Sequence, residues 1–201
     1  MKTIIFDDKQ KWLNARIGKI TGTRLKDLIV LRGNTPKKGF YELISERLAI
    51  PADNENPMDR GARLEEDALA RFAKETKKKV DGSLIMWISE ENESMAISPD
   101  GVIGKTEAVE IKCLNSATHI EAYLTQKLPS EYQMQIYQYF IINDKLKTLY
   151  FAFYDPRMPA KDFFYLTIKR EEVIEEVEKY HEEQLKILAE VERIVLELSP
   201  L

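Results

Sequence analysis

The chain has 201 residues, 44% hydrophobic and 32% charged, enough length and apolar content for one globular domain with a real core. A single cysteine, Cys113, excludes an internal disulfide and a four-cysteine metal or iron–sulfur cluster. A net charge of −4 argues against a generic basic DNA-coating protein, and no apolar run approaches the length of a membrane-spanning helix.

Residues 8–16 read as a short helix, with Asp8 as its cap, Trp12 inward and Gly18 as its stop. A second helix follows over 24–29, with Thr21 or Thr23 as N-cap. Helix N-terminal N–H groups, threonine hydroxyls and the nearby Arg16 suit an anion such as a phosphate; a cap beside a surface arginine fits the same residues. Residues 31–38 form a polar loop carrying Arg32, Lys37 and Lys38. The spacing of Phe40, Leu43, Ile44 and Leu48 predicts a helix over 40–48 with those four on its inner face.

After an Asn-rich acidic loop at 51–57, residues 58–79 carry the strongest helical signal. Gly61 in it would allow close approach of another element, and Glu65, Glu66 and Asp67 form an acidic run. Residues 83–88 and 94–97 read as strands, with Trp87 in the core. Asp100 then opens a hairpin, with Gly101 and Gly104 as turn residues. Its second strand carries Glu110 and Lys112. Side chains two apart share a strand face, so these two point one way while Ile111 and Cys113 turn into the core. Two carboxylates and an ammonium converging on one volume suit a divalent cation and a nucleophilic water. An ion pair on a solvated strand is the structural alternative.

A helix over 116–128 leads to one over 130–140 rich in Gln and Tyr, where Gln135 and Tyr139 lie on one face. Residues 148–154 are apolar on both faces, as in a central strand. The run 155–159, Asp-Pro-Arg-Met-Pro, ends it, and another strand covers 163–168. Residues 171–198 form a long amphipathic helix carrying local charge −7 between 171 and 197, so the remainder carries +3, the difference from the net −4. Any nucleic-acid site is therefore a local patch on the main body.

Four ordered blocks together resemble the phage-type alkaline exonucleases, the lambda-exonuclease or YqaJ-like viral recombinase family of the PD-(D/E)xK nuclease superfamily. They are Trp12-x3-Arg16-x-Gly18-x-Ile20-Thr21-x-Thr23; Gly61-x3-Glu65-x2-Ala68; Pro99-Asp100, nine residues, then Glu110-Ile111-Lys112; and Gln133-Met134-Gln135 with Tyr139. Tyr154-Asp155-Pro156-Arg157-Met158 also matches the family. The resemblance spans about residues 10–170. It implies an α/β fold, a mixed sheet flanked by helices with a restriction-endonuclease-like core, in one domain over 1–201. It further implies Mg²⁺-dependent 5′-to-3′ digestion of one strand of duplex DNA, with Mn²⁺ substituting and two ions bound in the presence of substrate. By this resemblance Asp100, Glu110, Glu65 and the Ile111 backbone carbonyl hold metal. Lys112 activates the attacking water and Gln135 orients it. Arg16 and Thr23 grip a 5′-phosphate, while Tyr139 and Thr21 make further DNA contacts. The family also implies a homotrimer, a single-strand-annealing or single-strand-binding partner and no membrane association. The lack of an apolar leader at the N-terminus suits a cytoplasmic location. The readings held against this one are a non-catalytic DNA-end-binding recombination scaffold and a related metal-dependent endonuclease.

Overall fold

The computed structural model describes residues 8–14, 17, 35–50 and 57–198. Four strands form the main sheet: β3 (Gly101–Ile103), β4 (Glu107–Lys112), β5 (Thr148–Tyr154) and β6 (Phe163–Lys169), in that order. β4 runs parallel to β5, and the other two pairings are antiparallel. A parallel pair needs a long crossover, and here the crossover holds α4 (Ser116–Thr125) and α5 (Gln133–Ile142). The remaining elements are α1 (Lys9–Asn14), α2 (Lys38–Leu48), α3 (Pro57–Thr76), a small ribbon of β1 (Trp87–Ile88) with β2 (Ala96–Ile97), and α6 (Ile174–Leu198).

Alternation along β4 and β5 divides the core into two layers. On one face Val109, Ile111, Tyr150 and Ala152 meet Ala68 and Phe72 of α3. On the other, Ala108, Leu149, Phe151 and Phe153 meet Ile136, Tyr139 and Phe140 of α5. β5 is buried on both sides, as its unbroken apolar run predicts.

Asp8 accepts from the Lys11 backbone N–H at 2.8 Å and so caps α1. α3 is the long helix expected; it ends at Thr76, and Lys77 beyond it takes the left-handed conformation. α4 is capped by Asn115, whose side chain accepts from the Thr118 N–H. The expected second helix at 24–29, with Thr21 and Thr23, lies outside the described residues, as do Arg16 and the loop at 51–56.

Several expectations are corrected. Residues 83–86 are not a strand, because β1 pairs only with β2; Ser83 instead folds back on Asp81 through N–H and hydroxyl bonds to its carboxylate. On α2 the buried face carries Tyr41 and Leu43, while Phe40 and Leu48 are exposed. The partner decides this: α2 packs on Ala117 and Ile120 of α4 and on Met158. Gly101 lies inside β3, not in the turn, whose positive-φ residue is Gly104. α6 begins at Ile174 after a 3₁₀ turn, and the apolar Ile187, Val191 and Ile194 on it are exposed. It is held on α5 by the Tyr180–Tyr137 stack at 5.2 Å and by the Gln184–Gln138 amide pair.

The two motif glycines have different causes. A Cβ on Gly101 would come within 2.6 Å of Val80 Cγ1 and 2.8 Å of Val109 Cγ1, whereas a Cβ on Gly61 meets nothing within 4 Å. Among the described residues, nothing makes the close approach expected at Gly61. Gly101→Ala is therefore expected to destabilise by about 1–3 kcal/mol through overpacking. Gly61→Ala in α3 is expected to stabilise by about 0.5–1 kcal/mol. Urea unfolding of the two variants checks both signs.

His119 is buried, with Nε2–H donating to the Lys161 carbonyl at 2.9 Å and its ring edge-on to Phe164. Nδ1 has no hydrogen-bond partner among the described residues, so protonating it adds a buried charge with no acceptor there. Burial lowers the imidazole below its ordinary value of 6.5, against the opposing pull of the Lys161 carbonyl. The unfolded chain thus takes up the proton first. Stability contributed by this group is complete above about 6.5 and is lost as pH falls from there towards the lower folded value. Thermal melts between pH 7.5 and 5 are expected to show that loss, and His119→Gln to flatten it.

Candidate active site

The first requirement of the site is a hydrogen-bond supply for Glu110, a carboxylate only 4% exposed in the middle of β4. An ionised carboxyl buried on a sheet face needs donors. Three side chains supply them. Lys112 Nζ, two residues on along the same face, donates to Oε1 at 2.7 Å. Gln135 Nε2 donates to the same oxygen at 2.6 Å, and the Tyr139 hydroxyl donates to Oε2. Gln135 and Tyr139 lie four apart on α5, one turn of one face, and so reach the two oxygens of one carboxylate. The Lys112 ammonium also sits 4.8 Å from the Tyr132 ring centroid, a cation–π contact.

Asp100 precedes β3 and crosses to β4, where Oδ2 accepts the Ile111 backbone N–H at 2.6 Å. The antiparallel β3–β4 pairing, Gly101 opposite Val109, brings it there. Burial pushes the Asp100 carboxyl up to about 7, reinforced by the Glu110 and Glu65 charges and opposed by the Ile111 N–H and Lys112. Glu65, on α3, lines with Asp100 a cleft of about 230 Å³, together with Ser83, Leu84, Met86 and Ser98.

Asp100, Glu110, Lys112, Gln135 and Tyr139 therefore come together, and Glu65 shares the cleft with Asp100. One role is corrected. Tyr139 has 0% exposure and bonds Glu110, so it has no surface to offer DNA and serves instead to hold the carboxylate. Arg16, Thr21 and Thr23 lie outside the described residues.

Among the described residues no three His, Cys, Asp or Glu side chains form a cluster able to hold a metal ion as they stand. The Glu110 oxygens are occupied by Lys112, Gln135 and Tyr139. The chemistry of the set still fits a hard divalent cation. All the candidate ligands are oxygens, and three carboxylates face a single lysine. Burial is the larger cause of the upward push on Asp100, and the Glu110 and Glu65 charges add a part that a cation relieves.

Sequence reasoning assigned no role to a second polar centre behind the first. Asp155, at the end of β5, has 0% exposure. It accepts from Arg60 Nη2 at 2.7 Å, Ser116 Oγ at 2.5 Å and Arg157 Nε at 2.9 Å. Burial alone raises this carboxyl, but the Arg157 and Ser116 hydrogen bonds outweigh that and hold it below the usual carboxylate value. Arg60 Nη1 also bonds the Cys113 and Leu114 carbonyls, each at 2.9 Å. The available signal was a charged residue closing an otherwise apolar central strand, and an arginine directly before Gly61.

Tyr139→Phe removes one charge-assisted bond to Glu110 and is expected to cost about 1.5–3 kcal/mol, read from urea unfolding with the fold retained by circular dichroism.

The family model for the YqaJ-like viral recombinase domain matches residues 11–145. Among solved structures, the chain is similar to LHK-Exo in complex with dAMP, with 30% identity and a TM-score of 0.61 over 94% of this chain and 97% of that one. It is equally similar to the alkaline exonuclease LHK-Exo from Laribacter hongkongensis, with 30% identity and a TM-score of 0.60 over 95% of this chain and all of that one. No curated protein matches. The mixed four-stranded sheet flanked by helices agrees with the fold of these relatives, and the chain belongs to the YqaJ-like viral recombinase domain family.

Proposed function

We propose that this protein is a nuclease that digests one strand of linear duplex DNA from 5′-phosphorylated ends, 5′ to 3′, in a Mg²⁺-dependent reaction. The observation that carries the reading is the convergence of Asp100, Glu110, Lys112 and Gln135 at one end of β4 with Glu65 across the cleft. The near full-length likeness to an alkaline exonuclease supports it. So does the dAMP bound by LHK-Exo, since a deoxynucleoside monophosphate is what exonucleolytic hydrolysis releases.

Asp100, Glu110 and Glu65 would hold Mg²⁺ or Mn²⁺, with the Ile111 carbonyl as a further ligand. The bound ions supply charge neutralisation at the scissile phosphate and a more acidic water. Lys112 holds the attacking water against the phosphorus, and Gln135, anchored on Glu110, orients it. The water oxygen forms a bond to phosphorus as the P–O3′ bond breaks, and the 3′ oxygen leaves with a proton. The strand that remains carries a new 5′-phosphate. Each turn of the reaction thus regenerates the end that Arg16 and Thr23 are proposed to grip, with Thr21 beside them. Hydroxyl and guanidinium donors suit that group.

The wider proposal is a single domain over 1–201, acting as a homotrimer around duplex DNA in the cytoplasm of a bacterial or phage-infected cell. The single strand it exposes passes to an annealing or single-strand-binding protein. No described helix is long and apolar enough to cross a membrane.

The test is digestion of linear duplex with Mg²⁺, comparing 5′-phosphate, 5′-hydroxyl and covalently closed ends. Rapid loss of one strand from phosphorylated ends is expected, with Lys112→Ala lowering the rate by about 100-fold or more. Arg16→Ala is expected to abolish the preference for phosphate. Equal cleavage of closed circles would make the protein an endonuclease. End binding with no cleavage in Mg²⁺ or Mn²⁺ would make it a scaffold.

A further inference from the structure

We infer that Arg60 is a positioning residue for this site, a clamp that sets Glu65 on α3 against Lys112 on β4. The inference rests on the nuclease reading above and adds to it a residue that never touches substrate.

The two halves of the site ride on different elements. Asp100, Glu110 and Lys112 belong to the β3–β4 hairpin, and Glu65 belongs to α3. Below Glu65, α3 meets the sheet through Ala68 and Phe72. Apolar contact is non-directional, so it holds the helix down without fixing its rotation or its slide along the axis. A displacement of one residue moves every side chain of α3 by about 1.5 Å along the axis and about 100° around it. Directional bonds are needed to fix the register.

Arg60 supplies them at the Lys112 end of the helix, and Arg71, bonded to Asp162, supplies a further one nearer its C-terminus. It sits five residues before Glu65 on the same helix, about 7.5 Å along the axis. Nη1 reaches the Cys113 and Leu114 carbonyls, those of the two residues that directly follow Lys112. Nη2 reaches Asp155, a carboxylate fixed on its other sides by Ser116 and Arg157. A planar guanidinium has its donors in a fixed fork. Three acceptors at 2.7–2.9 Å therefore set the orientation of the side chain, not merely its distance. The side chain is only 12% exposed and is paired with a carboxylate of 0% exposure. The result is one bonded path from α3 to the residue after Lys112. Lysine would keep the charge and lose the fork.

The consequence is specific. Loss of the fork should loosen the spacing between Glu65 and the hairpin carboxylates, which weakens cation binding and slows the chemical step. Binding of duplex DNA, made elsewhere on the surface, should change little.

The experiment is a double-mutant cycle of Arg60→Gln and Glu65→Gln. Three readouts are taken for each protein: kcat and KM for phosphorylated duplex, Mn²⁺ binding without DNA by calorimetry, and thermal melting. Arg60→Gln is expected to lower kcat by about 100-fold, the scale of a misplaced catalytic group, with KM within about twofold. Mn²⁺ binding should weaken about tenfold. In the Glu65→Gln background the same change should cost far less in both. Arg60→Lys, which keeps the Asp155 pair, should fall between and carries the cycle if Arg60→Gln does not fold. Additive losses with unchanged Mn²⁺ binding would overturn the clamp while leaving the nuclease reading intact. A wild-type protein that neither digests DNA nor binds Mn²⁺ would overturn both.

Discussion

Asp155 is the constraint on which the arrangement depends. A carboxylate without solvent carries a desolvation cost of several kcal/mol unless it is matched closely. Here Arg60 arrives from α3, Ser116 from the start of α4, and Arg157 from the turn after β5, so every element around the end of the sheet has a reason to meet there. Removing one donor leaves the others around an unbalanced charge. Removing the carboxylate leaves two guanidiniums facing each other. The network cannot be shed piece by piece, and the site is built against it.

The contrast with the neighbouring carboxylates is informative. Asp155 faces two arginines and sits low in its titration. Asp100 stands buried beside Glu110 and Glu65 and is pushed the other way, with Lys112 the opposing cation. One cluster is electrostatically settled and serves as frame. The other holds surplus negative charge at the edge of a cleft, which is where binding a cation and a phosphate gains most. Perturbed carboxyls in a cleft are a mark of function; settled ones beside them are a mark of support.

Much of this was legible beforehand where the signal was local. The strand period places Glu110 and Lys112 on one face, and they do meet at 2.7 Å. The double-sided apolar run at 148–154 is the central strand, and the Gln/Tyr helix turns two uncharged polar groups on Glu110. The glutamines and tyrosines were expected to meet a ligand. Tyr139 is polar for another reason: α5 covers a sheet face that contains a carboxylate, and its hydroxyl supplies that carboxylate with a donor. Residues 83–86 failed as a strand because an apolar alternation needs a partner edge, which composition does not report. Tyr41 displaced Phe40 from the core because the packing partner of α2 is α4, far away in the chain.

The sequence by itself determined the elements with strong periodicity, the order in which they follow, and the carboxylate–lysine pattern that belongs to the family. These follow from local geometry: the 3.6-residue turn of a helix and the two-residue pleat of a strand assign faces without reference to the rest of the chain. Tertiary structure alone decided that Tyr139 holds Glu110, that Asp155 gathers Arg60 and Ser116, and that Gly101 is under steric constraint. Each of those depends on which groups meet across gaps of 29 to 95 residues, or within a few tenths of an ångström in a packed core. Burial creates the demand for a partner, and only the folded chain determines which partner is within reach.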